Sequence, residues 1–495
     1  MLRILEKIKY IKDNYLIETI ILVIIAIILI NTLFVYPIVG KCDNGDFERF
    51  MRYGGLKNIH NEYKKIYDGY FHNKFLMSNP NPLLFVPVYI NWVSSTILLK
   101  ISVFIFLVIH GFSSNLFDIR YLAFVYCAIF LIGIFLIVSF KRFNSILKII
   151  CGAFFIVFFT STCYITYFNS FFGEAGTIIF LFLNIGTYLY LITREKPEIR
   201  HFIYFFLASC GFLTAKSQNI PLLVFMLIIY AGLFVYYKQK KIRISIIIGT
   251  LIVISICGIG YFSLSDTMNR NNLYQSVFLG VLRDSPTPER DLQEIGIDKK
   301  FMVFYGHSFY DRKGEQDPLG KEMIDDFYPN ISFGKILVFY INHPDRLWEK
   351  IVDSANNAYA FSNIKKGSFI KNQYDSNKVV NGIRVYLIEK FPKLHRNIYV
   401  FIGFSILYLL ISIFYFIKYK DRTTRLLVLM LLFILASGAS QLVLPVLGSG
   451  HGDFGKHLFL LNLSYDIMAG IAVLWIAHII YKCSLKYFKN IIRLK

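Results

Sequence analysis

Long apolar runs separated by short polar loops dominate the chain. The first, Ile20 to Val39, matches the roughly 20 helical residues that cross the hydrocarbon core of a bilayer. Placed at 18–39, it is followed by runs near 121–140, 145–163, 174–192, 202–215, 219–237, 244–263, 397–417, 423–445 and 458–480. The pattern predicts an all-α polytopic membrane protein of about ten spans.

Lysines and arginines gather in alternate loops. They occur at Arg3, Lys7, Lys9 and Lys12, at Lys141, Arg142 and Lys148, at Arg194, Lys196 and Arg200, at Lys238, Lys240, Lys241 and Arg243, at Lys418, Lys420, Arg422 and Arg425, and from Lys482 to Lys495. Basic loops stay in the cytoplasm, so both termini are expected there and the remaining loops outside. One run breaks the alternation: as a single crossing, Leu83 to Phe112 would invert every later loop. Pro80, Pro82 and Pro87 at its start and Lys100 within it suit an interfacial or re-entrant segment on the outer side.

Composition agrees with the pattern. The 495 residues are 56% hydrophobic and only 17% charged, and the mean hydropathy is +0.52, which excludes a water-soluble fold of this size. The net charge of +21 lies largely in the alternate loops, so it is an orientation signal, and no nucleic-acid partner is expected. Cys127, Cys151, Cys163, Cys210 and Cys257 fall in apolar spans and Cys483 in the basic tail, so no disulfide framework is expected. The Val-Gly-Lys-Cys ending at Cys42 carries lysine where a lipoprotein signal needs a small residue, and Ile17 to Val39 reads as a retained signal anchor.

Three parts follow: an N-terminal transmembrane module at 1–263 with a first outer loop at 40–120, an outer domain of mixed polar and aromatic character at 264–396, and a C-terminal transmembrane module at 397–495. In the outer domain, Asp284 to Asp291 reads as a surface turn. Lys335 to Phe361 carries Ile336, Phe339, Tyr340, Leu347, Ile351 and Ala355 at helical spacing. There is no internal repeat and no Walker, dinucleotide-binding or zinc-protease motif.

The chemistry-bearing residues lie on the outer side. Lys41-Cys42-Asp43-Asn44-Gly45-Asp46-Phe47-Glu48-Arg49 emerges from the first span. Its carboxylates are candidates for general-base or metal-binding work, which suggests an enzyme. Asn44-Gly45 permits a tight turn aiming Asp46 and Asp43 at one point, and a solvated turn with Asp46 as a helix N-cap accounts for the spacing equally well. Glu174, after Asn169 and Ser170, sits at the start of a span, where it can orient an acceptor, share a divalent metal with Asp46, or only cap its helix.

His451, Lys456 and His457 surround the start of the last span, with Asp453 three and four residues before the latter two. Exposed helix N–H groups and an ammonium there make an anion site. Lys216 lies outside against the positive-inside bias, either at an anion or snorkelling to lipid headgroups. Asp466, deep in the last span, reads as a structural polar contact beside Asn462, in a seam near Gln441. His307, Tyr305, Asp311 and Arg312, with the aromatics Trp348, Tyr359 and Phe361, are available to an acceptor, though aromatics at helical spacing are more often packing residues.

The acidic first loop, the proline-bearing interfacial segment, the Asn-Ser-Phe-Phe-Gly-Glu loop ending at Glu174, the Lys-Ser-Gln-Asn turn from Lys216 and Gly-Asp-Phe-Gly-Lys-His-Leu-Phe from Gly452 resemble the polytopic GT-C glycosyltransferases. More narrowly they resemble the WsfD-type hexose transferases of bacterial surface-glycan synthesis, over nearly the whole chain. Lys-His-Leu-Phe with Asp466 downstream, and the segment from Leu273 to Pro286, carry most of the likeness.

The resemblance implies a GT-C-like transmembrane bundle with extracytoplasmic interfacial helices. It implies inverting transfer of a sugar, a hexose, from a polyprenyl-phosphate donor to a cell-surface glycan or cell-wall polymer, in the bacterial plasma membrane with an extracytoplasmic active site. A base must take the acceptor proton and cations must hold the departing phosphate. Asp46, then Asp43, then Glu174 are the candidate catalytic residues, and Lys216, His451, Asp453, Lys456 and His457 the candidate phosphate ligands. Membrane lipids are the other partners, and the need for a divalent metal is left open. A lipid-linked oligosaccharide flippase is the alternative from another class, and a surface-polysaccharide polymerase a third. A transporter would carry ionisable groups near the midplane of several spans, whereas here they concentrate at the outer edge.

Overall fold

The computed structural model describes residues 2–78, 91–310, 316–360, 366–375, 382–451 and 454–493, with backbone only for 2–13, 366, 454 and 486–493. Eight helical segments among them are long and apolar enough to cross a membrane: Asn14–Leu33, Arg120–Val138, Gly173–Ile192, Ser217–Tyr236, Lys240–Phe262, Ile398–Lys418, Arg422–Ser440 and Phe459–Leu485. The first lies in α1 (Leu2–Leu33). The predicted span at 145–163 is a pair, Ser145–Phe159 and Thr162–Asn169, bent by 63°. A π-helical turn at Phe155–Phe159 and extended backbone at Ser161 make the break.

The predicted span at 202–215 is α2 (Ile199–Leu213), a helix of 15 residues. At 1.5 Å per residue it covers only about 22 Å, which is short for a crossing. It nevertheless joins the same two ends of the bundle as its neighbours. Among the described residues, the eight helices, the bent pair and α2 therefore give the ten segments that the hydropathy pattern predicts.

Contacts between loops define the two ends. At one, Arg142 pairs with Asp421 at 2.6 Å, the Arg422 guanidinium donates to the Arg194 carbonyl at 2.7 Å, and Arg425 donates to the Tyr236 hydroxyl at 3.2 Å. The basic loops thus meet, as the charge alternation requires. The opposite end gathers the C-terminal end of α1, the starts of α3 (Gly173–Ile192) and of the last helix, α4 (Phe459–Arg493), and the turn after α2.

The run read as interfacial lies partly in residues 79–90, outside the described residues. Its described part, helix Ser95–His110, does not cross. Ser94 donates through its backbone N–H to the Thr214 carbonyl (2.9 Å) and through Oγ to the Gly211 carbonyl (2.7 Å), and at the other end His110 Nε2 lies 2.7 Å from the Tyr121 hydroxyl. Tyr121 opens a span whose Arg120 donates to the Phe34 carbonyl, just past α1, so both ends of the helix sit at one end of the bundle. A small antiparallel sheet, β1 (Leu56–Lys57), β2 (Lys74–Met77) and β3 (Leu116–Asp118), lies in the same layer.

Residues from Leu273 to Tyr359 gather around a second apolar core, with Tyr274, Phe278, Phe327, Ile336 and Tyr340 at its centre, while Val385 joins the core of the bundle. Its described elements are helices and turns. The apolar spacing predicted from Lys335 onward forms α-helices Phe333–Asn342 and Pro344–Asn356, divided where His343 leaves helical geometry before Pro344. This core continues through Ile398, Phe401, Leu458 and Tyr465, which seats the domain on the end of the bundle.

Candidate functional site

The loop that follows α1 is pinned where it leaves the helix. Asn169, fully buried, donates its amide to the carbonyls of Leu33 (3.0 Å) and Val39 (2.9 Å) and accepts from the Lys41 N–H (3.3 Å). Only glycine fits at position 40, where a Cβ would lie 2.3 Å from the Phe71 ring and 2.7 Å from the Asn169 carbonyl. These contacts fix the height at which the acidic segment begins.

Asp43 then closes the turn. Its Oδ1 accepts from the N–H groups of Gly45 (2.8 Å) and Phe47 (3.2 Å), an Asx turn with Gly45 at φ +104°. The short helix Phe47–Met51 follows. Asp46 occupies its N-cap position without making a side-chain cap bond, so the capping expected of Asp46 is done by Asp43.

Asp46 instead holds cations. It pairs with Arg49 and with Lys456, from the start of the last span. Arg49 reaches further, to the Met268 sulfur of the outer domain (2.8 Å), and the Lys456 ammonium lies 4.6 Å from the centre of the Phe172 ring. Glu174, 1% exposed, takes Lys216 at 2.8 Å through Oε1, and its buried Oε2 has no hydrogen-bond partner. Gln218 donates to the Gln441 side chain (2.7 Å) and the His457 carbonyl (2.8 Å), tying the turn after α2 to the last span. Glu174, Lys216, Gln218, Lys456, His457 and Phe459 line a small cavity with room for about one water.

Burial tunes these groups. It pushes the Asp43 carboxyl up, against the Gly45 and Phe47 N–H groups and Lys456, and leaves Oδ2 buried without a partner. It pulls Lys456 down to about 8, opposed by the Asp43 charge. Burial and then the Lys216 and Lys456 charges hold His457 well below the usual histidine range. His457 is therefore a neutral ring at pH 7 and reaches Gln218 Oε1 (3.2 Å) rather than serving as a cation.

The structure brings Asp43, Asp46, Glu174, Lys216, Lys456 and His457 together at one end of the bundle. His451 is placed elsewhere, 2.7 Å from Asp353 of the outer domain with its N–H on the Leu279 carbonyl. Asp453 lies outside the described residues, as do Asp311, Arg312 and Phe361. Among the described residues no three His, Cys, Asp or Glu side chains converge as a metal site, and Glu174 and Asp46 are each paired with cations.

Asp466 is a structural contact, but with partners other than Gln441. Arg384 binds it in a fork (2.6 and 2.8 Å), and the Tyr164 and Tyr359 hydroxyls donate at 2.7 and 2.9 Å. Tyr359 is thereby buried, not presented to a sugar. Gln218 and Arg384 were missed as site or structural partners because the groups they bind stand far away in sequence, as does the Met268 that Arg49 reaches. For Arg49 the one local signal was its place three residues after Asp46.

A family model for the YfdI N-terminal transmembrane domain matches residues 5–494. The chain belongs to this family. Among solved structures, the oligosaccharyltransferase of Archaeoglobus fulgidus, crystallised with a tethered acceptor peptide, is similar with a TM-score of 0.41 and 11% identity over 96% of this chain and 51% of its own. The chain thus spans about half the length of that protein. No curated protein matches. The family and the helices agree on a multi-pass membrane protein.

Proposed function

We propose that this YfdI-domain protein is a membrane glycosyltransferase of the GT-C class, in kind like the WsfD-type hexose transferases. In this reading it passes a hexose from a polyprenyl-phosphate donor to a surface glycan or polymer. The observation that carries the reading is Asp43, a half-buried carboxylate of raised proton affinity with one buried, bare oxygen, beside the cations Lys456 and Arg49 at one end of the bundle.

Transfer needs both kinds of group. The acceptor hydroxyl oxygen forms a bond to the anomeric carbon as its proton passes to a base, and the anomeric bond to phosphate oxygen breaks with its electron pair left on polyprenyl phosphate. A base works best when its pKa is raised toward the working pH, which favours Asp43. Asp46, committed to Arg49 and Lys456, positions those cations for the developing charge. This reverses the order of the two aspartates expected from the family resemblance. Glu174 keeps Lys216 at the cavity wall.

The positive-inside rule puts the basic end in the cytoplasm and this site outside the plasma membrane. The test is release of polyprenyl phosphate and label transfer in vesicles given polyprenyl-phosphate hexose labelled in the sugar. Transfer dependent on the protein is expected. Movement of the intact lipid across the vesicle without transfer would favour a flippase instead.

A further inference from the structure

Counting partners in the site leaves two groups over. Asp46 is matched by Arg49 and Lys456, and Glu174 by Lys216. Asp43 forms no ion pair within contact distance, and neither does Lys41 among the described residues. The Lys41 ammonium lies 4.8 Å from the centre of the Tyr167 ring, and burial lowers its proton affinity, with Glu174 the nearby carboxylate that opposes this. Tyr167 packs edge-on against Phe172 and Phe459, at 6.0 and 5.1 Å. Phe172 carries Lys456 on its face, and Phe459 lines the cavity. Lys41 and Lys456 therefore flank one aromatic wall of the site, and the half-buried Lys41 ammonium, held by a ring alone, is open to an incoming anion.

We infer that Lys41 is the cation that receives the phosphate of the lipid-linked donor, binding it without breaking either of the site's ion-pair groups. Lys216 and Lys456 can reach an incoming anion only by sharing or leaving Glu174 and Asp46, whereas Lys41 has nothing to leave. The inference rests on the reading of the site as a lipid-phosphate transferase and assigns its first phosphate contact.

The experiment measures binding of a polyprenyl monophosphate to the full chain in nanodiscs, with the uncharged polyprenol as control. Lys41→Met keeps the length of the side chain and removes the charge. The expected result is binding of the phosphate weakened roughly tenfold to a hundredfold, as for loss of a charge-assisted contact, with polyprenol unaffected. Lys41→Arg, which restores the charge, should recover most of it. Equal binding by the native protein and Lys41→Met would overturn the inference and leave the transferase reading standing. If Lys41→Met fails to fold, weak binding by a well-folded Lys41→Arg would overturn it and near-native binding would support it. A native protein that does not distinguish polyprenyl phosphate from polyprenol would overturn both.

Discussion

Lys456, at the start of the last membrane span, forms an ion pair with Asp46 of the loop after the first span. The pair closes the two ends of the chain around one site, and Arg49 shares the carboxylate and links the pair to Met268 of the outer domain. Removing the ammonium should leave Asp46 to Arg49 alone and weaken the hold on a departing phosphate. Lys456→Ala should lower sugar transfer by roughly 10²-fold or more, measured in membranes with matched protein abundance.

The same lysine predicts a pH limb. Burial holds Lys456 near 8, below the 10.5 of an unburied lysine. Its charge, and the anion binding that depends on it, should fade as pH rises through about 8. The unfolded chain binds the extra proton between the two values, so Lys456 opposes folding below 8 and this cost disappears as pH rises toward 10.5. Polyprenyl-phosphate binding followed from pH 7 to 10 should show the limb in the native protein, and Lys456→Arg should keep only the part that Lys41 contributes.

Arg384 and Asp466 join the segment following the outer domain to the last span, and both are 2% exposed. Taking away one partner strands a charge in a dry place. Asp466→Ala should destabilise the protein by about 3–5 kcal/mol, read as unfolding in detergent. The double change Arg384→Met with Asp466→Leu should recover much of this loss, because no charge is then left unpaired.

Asn169 holds the start of the acidic loop through two buried carbonyls. Asn169→Ala should cost about 1–3 kcal/mol by leaving them unpaired. It should also lower transfer more than it lowers abundance, since Asp43 would lose its fixed height above the span.

Much of this was legible in the sequence because membrane physics is written locally. Apolar length and basic loops gave the ten segments and their alternation, although Ile199–Leu213 is too short for length alone to identify. The acidic loop, Glu174, Lys216, Lys456 and His457 were legible as one cluster at the end opposite the basic loops for the same reason. Their partnerships were not. That Asp43 rather than Asp46 closes the Asx turn depends on Gly45 at positive φ, and that Asp466 meets Arg384 rather than Gln441 depends on how the outer domain returns to the bundle. His457 drew notice as a cation, but burial between Lys216 and Lys456 makes it neutral.

Sidedness tests the frame in which the site is read. Single cysteines at positions 46 and 456 should react with an impermeant reagent from outside whole cells, and cysteines at 142 and 421, which meet at the basic end, should not. Labelling of the second pair with protection of the first would invert the topology.

The most direct measurement is transfer from radiolabelled polyprenyl-phosphate hexose by the native protein, Asp43→Asn and Asp46→Asn at equal abundance. With Asp43 as the base, Asp43→Asn should lose about 10²–10⁴-fold in turnover with donor binding retained, and Asp46→Asn should lose donor affinity as its cations come loose. Full turnover by Asp43→Asn would contradict the account.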